Sequence, residues 1–264
     1  MMYFGFENIT VGYGKTPVLR KFTLDVPKGK LLTVIGENGC GKSTLLKSIF
    51  GSPSPSEGRI ILEDKPISGY SPRTLAKKIA YLPQSHAAPD DIDVYTLVSL
   101  GRYPYRKFAR GLTKTDTDAI GRAIKLTGLT THQSRTVASL SGGEAQRTRI
   151  AMAIAQEADI LILDEPTTHL DVGYQIEVLE LIKRLTNEFG ITVLCVLHDV
   201  NMAARYSDII CALKDGKAFI SGTPSEVLTR GNLAHVFGIK TEILYDGTHD
   251  CPYFIADEGL GEKQ

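Results

Sequence analysis

The run Gly36-Glu37-Asn38-Gly39-Cys40-Gly41-Lys42-Ser43-Thr44 carries the clearest chemistry in this chain. It fits the spacing G-x-x-x-x-G-K-[ST], in which glycines let backbone N–H groups close around a phosphate oxyanion. Lys42 brings a point charge to β- and γ-phosphates, and Ser43 offers a hydroxyl to Mg²⁺. The flanks agree with that reading. Leu31–Ile35 is an apolar run of strand length, and Thr44 to Phe50 reads as a short helix stopped by Gly51 and Pro53. Such a helix turns its N-terminus, with its favourable dipole, toward the phosphates. A plain glycine turn between strand and helix is the bland alternative, and the matching flanks speak against it.

A second apolar run, Ile160-Leu161-Ile162-Leu163, leads into Asp164-Glu165-Pro166-Thr167. Two carboxylates at a strand end are the expected partner of a phosphate loop. Asp164 can hold Mg²⁺, and Glu165 can orient or deprotonate a water for in-line attack on a γ-phosphorus. Taken by themselves they could be an ordinary strand–turn junction. Leu140-Ser141-Gly142-Gly143-Glu144 is more diagnostic. Ser141 and Glu144 are spaced as a capping box before a helix from Ala145 to Gln156. The two glycines are left over, because glycine destabilises a helix by up to about 1 kcal/mol per residue. Close backbone approach to a ligand is one reason to place them there.

These groups need elements to position them. Apolar strand-like runs recur at Leu31–Ile35, Ile60–Leu62, Ile79–Leu82, Ile160–Leu163, Ile191–Leu197 and Ile209–Leu213. Helical periods fall between some of them, as in Tyr174–Glu188, where Ile176, Leu179, Ile182 and Leu185 precede the stop at Gly190. That alternation implies an α/β domain with a largely parallel core sheet. Residues 89–157 read instead as a helical insertion, with a helix opened by Thr113 and Asp116 and ended by Gly128. Beyond Gly216 the pattern weakens to short runs around Phe219–Ile220 and Glu242–Tyr245, read as small strands and one helix.

Composition sets outer bounds. The 264 residues are 42% hydrophobic and 23% charged, the profile of a soluble globular protein. Thirty basic residues balance thirty acidic ones, so no global field favours nucleic acid or an anionic membrane. Cys40, Cys195, Cys211 and Cys251 lack paired or metal-ligand spacing, which suits a reducing compartment. No stretch approaches the ~18 apolar residues of a membrane span, and Met1–Glu7 does not read as a signal peptide. The expectation is a cytosolic chain whose membrane role, if any, comes through a partner.

Together these motifs resemble the ATP-binding subunit of an ABC transporter. Residues 36–43 are similar to the Walker A motif, 160–165 to Walker B, Leu140–Glu144 to the signature, Gln84 to the Q-loop, His169-Leu170-Asp171 to the D-loop and His198 to the H-loop. They occur in the family's order across residues 1–230. The resemblance implies a P-loop NTPase (RecA-like) core with a parallel sheet, an antiparallel β subdomain and an inserted α-helical subdomain. It implies one ATPase domain over 1–264, with a core of 1–88 and 158–230, a helical part at 89–157 and a C-terminal extension at 231–264. The resemblance also implies that Tyr13 stacks on adenine. Gln84 would sense Mg²⁺ and the attacking water, and His198 would contact the γ-phosphate. Taken without the resemblance, Tyr13 is equally an ordinary surface aromatic, Gln84 a polar loop residue and His198 a structural histidine.

ATP and Mg²⁺ are the implied cofactors. The implied partners are a second copy, sandwiching two ATP molecules head to tail, and membrane permease subunits with a binding protein beyond them. That arrangement places the chain on the cytoplasmic face of a membrane. The signature's fifth residue, commonly Gln, is Glu144 here. Its carboxylate is expected to oppose dimer closure, so that Glu144→Gln tightens it modestly. Val94–Tyr105 and the tail Gly222-Thr223-Pro224 with Val236-Phe237-Gly238 are similar to importers of iron chelates, haem or cobalamin. Arg102-Tyr103-Pro104-Tyr105 is read as a surface that receives a permease helix. Cys40, beside Lys42, is expected to have a depressed thiol pKa. A soluble ABC ATPase acting on ribosomes or DNA is the alternative.

Overall fold

The computed structural model describes residues 2–14, 16–84, 91–106 and 111–259. The boundary expected at 88/89 lies outside the described residues. In chain order the elements begin with β1 (Phe4–Tyr13), β2 (Thr16–Val26), β3 (Leu31–Ile35), α1 (Lys42–Ser48), β4 (Glu57–Leu62) and β5 (Lys65–Pro66). There follow α2 (Pro72–Lys78), β6 (Ile79–Leu82), α3 (Val94–Ser99), α4 (Lys114–Leu126), α5 (Gly142–Ala155), β7 (Ile160–Asp164) and α6 (Val172–Phe189). The chain closes with β8 (Thr192–Val196), α7 (Val200–Tyr206), β9 (Ile209–Lys214), β10 (Lys217–Gly222), α8 (Pro224–Val227), α9 (Arg230–Phe237), β11 (Ile239–Asp246) and β12 (Cys251–Gly259). Two compact units emerge, one of residues 1–69 and 194–264 and one of residues 70–193.

In the first unit β1 pairs antiparallel with both β2 and β4, bringing Phe4 opposite Val26 on one side and Leu62 on the other. Phe4, Phe6 and Phe22 are fully buried between these strands and the elements beneath. β1 and β2 are absent from the list of apolar runs in the sequence. Their burial alternates and the ladder slips near Asn8, whose φ is 48°. A half-buried strand with bulges carries no continuous apolar run. β3 runs parallel to β9, and β9 antiparallel to β10. β3 is wholly buried, which is why it reads as an unbroken apolar run.

In the second unit β6 and β7 pair in parallel, Leu82 beside Leu163. Helices α3, α4 and α5 share a core of Val94, Val98, Ile120, Ala123, Ile124, Leu129, Ala151 and Ala155. The expected capping box of α4 is present: Thr113 Oγ1 accepts from Asp116 N at 3.3 Å, and Thr113 N donates to Asp116 Oδ2 at 2.9 Å. α6 ends where expected, at Gly190 in the left-handed region (φ 66°). The tail holds more structure than the sequence suggested. It has two short helices, and its β11–β12 hairpin pairs Ile243 with Phe254. Among the described residues no helix is long and apolar enough to cross a membrane.

Candidate functional site

The phosphate loop leaves the C-terminal end of β3. Gly36 turns there with φ 154°, and a Cβ on it would lie 2.4 Å from Leu213 O and 2.8 Å from Cys40 Sγ. Gly41 caps α1 with φ 114°. Only glycine fits both places. Lys42 is buried, and its Nζ donates to Gly36 O at 2.8 Å and Glu37 O at 2.9 Å. The ammonium is thus folded over the loop it belongs to. Ser43 is half-buried and Thr44 buried in the first turn of α1. The Glu37 carboxylate is engaged by Lys214 Nζ at 2.6 Å, so this residue offers the loop its backbone rather than its charge.

An open cleft of ≈ 540 Å³ adjoins the loop, lined by Val18 and Arg20 of β2, by Glu37, Asn38, Gly39 and Cys40, and by the Asp215–Gly216 turn. Its volume suits a mononucleotide. Tyr13 closes β1 with 56% of its surface exposed. Leu197 N donates to Val34 O at 3.4 Å, so His198 emerges at the same strand end as the loop. It lies in the bend before α7 with its side chain exposed.

In the second unit the β6–β7 pairing delivers Gln84, Asp164 and Glu165 to one sheet end. Asp164 is 2% exposed, and Tyr81 Oη donates to its Oδ2 at 3.4 Å. Burial, with Asp164 alongside, pushes the Tyr81 phenol well above its ordinary pKa. Gln84 Nε2 donates to Glu165 Oε2, and Thr168 Oγ1 donates to the same oxygen at 3.2 Å. Glu165 holds a left-handed backbone (φ 54°), as does His169 (φ 65°). A non-glycine residue held there carries strain of order 1–3 kcal/mol, a device concentrated at functional sites. Gln84, expected to sense Mg²⁺ and the attacking water, is held on the Glu165 carboxylate, a pairing that the sequence reading did not name. Thr168 is an additional contact that its place in the sequence did not single out.

The signature segment opens α5 three residues earlier than the sequence suggested, at Gly142 rather than Ala145, so both glycines lie in its first turn. The capping box forms: Ser141 N donates to Glu144 Oε2 at 2.8 Å, and Glu144 N to Ser141 Oγ at 3.3 Å. The two glycines differ. A Cβ on Gly143 would lie 2.3 Å from Tyr174 Cδ1, whereas one on Gly142 would meet only Leu170 Cδ2 at 3.9 Å. Gly143 therefore has a packing reason of its own, the Tyr174 ring of α6, and only Gly142 is left without one. Glu144 is not a lone charge. His132 Nε2 lies 3.1 Å from Oε1 and Arg135 Nη1 3.9 Å from Oε2. The Ser141 backbone N–H, then the Ser141 hydroxyl, with His132 and Arg135 alongside, hold its carboxyl below the usual carboxylate range against the effect of burial.

Two expectations are corrected. Burial pushes the Cys40 thiol above the ordinary cysteine range, outweighing the lowering effect of Lys42. It is therefore not an activated thiol. Arg102 is 2% exposed and takes no part in a docking surface. Its Nε donates to Asp116 Oδ1 at 2.9 Å, and its Nη1 donates to Ala155 O at 2.7 Å and Glu157 Oε2 at 2.8 Å. Tyr105 stacks on its guanidinium at 4.0 Å. What faces solvent in this stretch is Tyr103, 75% exposed, and Leu100, 45% exposed.

A sequence profile of the ABC transporter family matches residues 19–168. The chain is 42% identical to the iron(3+)-hydroxamate import ATP-binding protein FhuC of Bacillus subtilis, over 93% of this chain and 91% of that protein. It is 39% identical to the ferric enterobactin transport ATP-binding protein FepC of Escherichia coli, over 94% of this chain and 92% of that one. Its fold superimposes on an inward-facing metal-chelate type ABC transporter with a TM-score of 0.84 at 28% identity, covering 97% of each chain. With the phosphate loop, the paired carboxylates and the capped signature helix in place, the chain belongs to the ABC transporter family, as one of its ATP-hydrolysing, ATP-binding subunits.

Proposed function

We propose that this chain, as a Mg²⁺-ATP-driven homodimer on the cytoplasmic face of a membrane, powers a permease that imports an iron chelate. The Gln84 amide held on the Glu165 carboxylate beside buried Asp164 carries the hydrolytic part of this reading. The similarity along nearly the whole chain to ferric-chelate import subunits supports the cargo. Haem or cobalamin is the alternative cargo in this reading.

In this reading Tyr13 stacks on adenine, and the backbone of Gly36, Glu37, Asn38, Gly39, Cys40 and Gly41, with Lys42 and Thr44, clasps the phosphates. The hydroxyl of Ser43, the amide of Gln84 and the carboxylate of Asp164 are hard oxygen donors, a set that fits Mg²⁺. Among the described residues no cluster of three or more His, Cys, Asp or Glu is placed to hold a metal by itself. Ser43, Gln84 and Asp164 would hold Mg²⁺ only together with phosphate oxygens and water. Bound there, Mg²⁺ supplies positive charge to the β- and γ-phosphate oxygens.

Glu165 accepts a proton from the attacking water while Gln84 and Thr168 hold its carboxylate in place. His198 donates to the γ-phosphate from its own strand end. Ser141, Gly142, Gly143 and Glu144 cap the ATP of the second copy, since one set of motifs per chain makes a two-fold sandwich the closed form. Permease helices dock where Leu100 and Tyr103 are exposed, and a substrate-binding protein delivers cargo on the far side.

Tagged Glu165→Gln protein, which should trap the ATP-closed dimer, is pulled from detergent-solubilised membranes of the source cells in ATP. Recovery of a polytopic permease supports the reading, and its paired binding protein is then screened against ferric chelates. Recovery of ribosomal or other soluble partners alone favours an ABC ATPase without a transporter.

A further inference from the structure

The helix that follows His198 is tied to the C-terminal hairpin at two points. Asp199 caps α7, its Oδ1 accepting from Met202 N at 2.9 Å. Two residues on, Asn201 binds the backbone of β12 from both sides of one peptide position: its Nδ2 donates to Phe254 O at 3.1 Å, and Phe254 N donates to its Oδ1 at 2.9 Å. The side-chain amide thus stands in for a neighbouring strand. One turn further, Arg205 Nη2 donates to His249 Nε2 at 2.9 Å, and His249 Nδ1 donates to Asp246 Oδ2 at 2.6 Å. Asn201 and Arg205 lie on one face of α7. They reach the middle of β12 and the tip of the hairpin respectively.

From these contacts we infer that Asn201 is a positioning residue for ATP hydrolysis, through which the β11–β12 hairpin sets the placement of His198. The inference rests on the proposed role of His198 at the γ-phosphate. The chain between His198 and Asn201 is only two residues and is already capped by Asp199, so α7 cannot shift without carrying the histidine. The other end of α7 is fixed as well: Ser207 Oγ donates to Thr33 Oγ1 at 2.6 Å, and Asp208 Oδ2 accepts from Leu31 N at 2.8 Å, both on β3. β3 leads directly into the phosphate loop. Asn201 therefore governs the N-terminal end of a helix anchored at its C-terminal end to the nucleotide-binding strand. Releasing it loosens the His198 end of α7 while the contacts to β3 keep the other end in place. Anything that moves the hairpin, such as a partner seated on it, would act on turnover by this route.

Steady-state ATPase rates are measured for full-length protein carrying Asn201→Ala, His198→Ala and both. ATP affinity is measured by calorimetry without Mg²⁺, and folding by thermal unfolding. Asn201→Ala should lower kcat about fivefold with ATP affinity unchanged, and should have no further effect in the His198→Ala background. An unchanged kcat for Asn201→Ala, or an equal loss in both backgrounds, overturns the inference. Full activity of His198→Ala refutes instead the reading on which it rests. Should Asn201→Ala unfold, Asn201→Asp keeps the acceptor for Phe254 N and loses the donor to Phe254 O; it should lower kcat less, and again only when His198 is present.

Discussion

Replacing Gly143 by alanine separates two reasons for a glycine in the signature helix. The new Cβ would lie 2.3 Å from Tyr174 Cδ1, 2.5 Å from Cγ and 2.8 Å from Cε1. Carbon atoms rest about 3.5–4.0 Å apart, so the ring or the helix must yield by roughly 1 Å. These are the root atoms of the ring, which cannot swing away as a side-chain tip can. Overpacking of this kind destabilises by about 1–3 kcal/mol, while alanine's helix propensity returns at most about 1 kcal/mol. Gly143→Ala should therefore lose about 1–2 kcal/mol of unfolding free energy. Gly142→Ala, with nothing closer than Leu170 Cδ2 at 3.9 Å, keeps the propensity gain and should be neutral or slightly more stable. Urea denaturation of both variants, and of Gly143→Ala combined with Tyr174→Ala, reads these values. The double variant should show a favourable coupling of about 1 kcal/mol. Light-scattering of the Glu165→Gln dimer in ATP then tests closure, which both alanines should impair if the segment caps the partner's nucleotide. Equal stability of the two single variants, or a coupling of zero with Tyr174→Ala, would refute the packing argument.

Cys40 should react slowly with iodoacetamide near neutral pH, speed up only as pH rises past the ordinary thiol range, and be shielded by ATP. Fast labelling at pH 7 would contradict the burial argument. Asp116, 5% exposed, has its pKa lowered to about 2, first by the Thr113 hydroxyl and then by the Thr113 N–H and Arg102 against the opposing effect of burial. Its contribution to stability is full above the unfolded carboxylate pKa of about 4 and is lost as pH falls through about 2. Asp116→Ala, which leaves buried Arg102 short of a partner, should cost about 3 kcal/mol near neutrality and flatten that acid dependence in denaturation curves. Glu144→Gln should tighten ATP-driven dimerisation by no more than about twofold, because the Ser141 N–H and the Arg135 guanidinium already engage the carboxylate; a tenfold change by light scattering would show that the carboxylate acts across the interface.

Local covalent patterns were legible in the chain because they act over a few residues. The glycine–lysine loop, the carboxylate pair at a strand end, the capping boxes at Thr113 and Ser141, the fully buried strands β3 and β7 and the largely buried β6 each carry a reason within about ten residues of sequence. β1 and β2 were illegible as strands because half-buried, bulged strands alternate too irregularly to form an apolar run. The hydrophobic pattern also could not say which charged groups lie inside. Arg102 sits in an apparently exposed aromatic loop, yet it is buried because Asp116, Glu157 and a helix-end carbonyl arrive from separate elements to satisfy it. The Cys40 thiol follows the same rule: sequence places it beside Lys42, but only packing determines that desolvation outweighs that charge. Gly143 needs Tyr174, and Asn201 needs Phe254, 53 residues away. The sequence by itself determined the family and the chemistry of the loop, since both depend on residue type and spacing. Which neighbours constrain those residues was decided by tertiary structure, because burial and partner geometry arise only when distant segments meet.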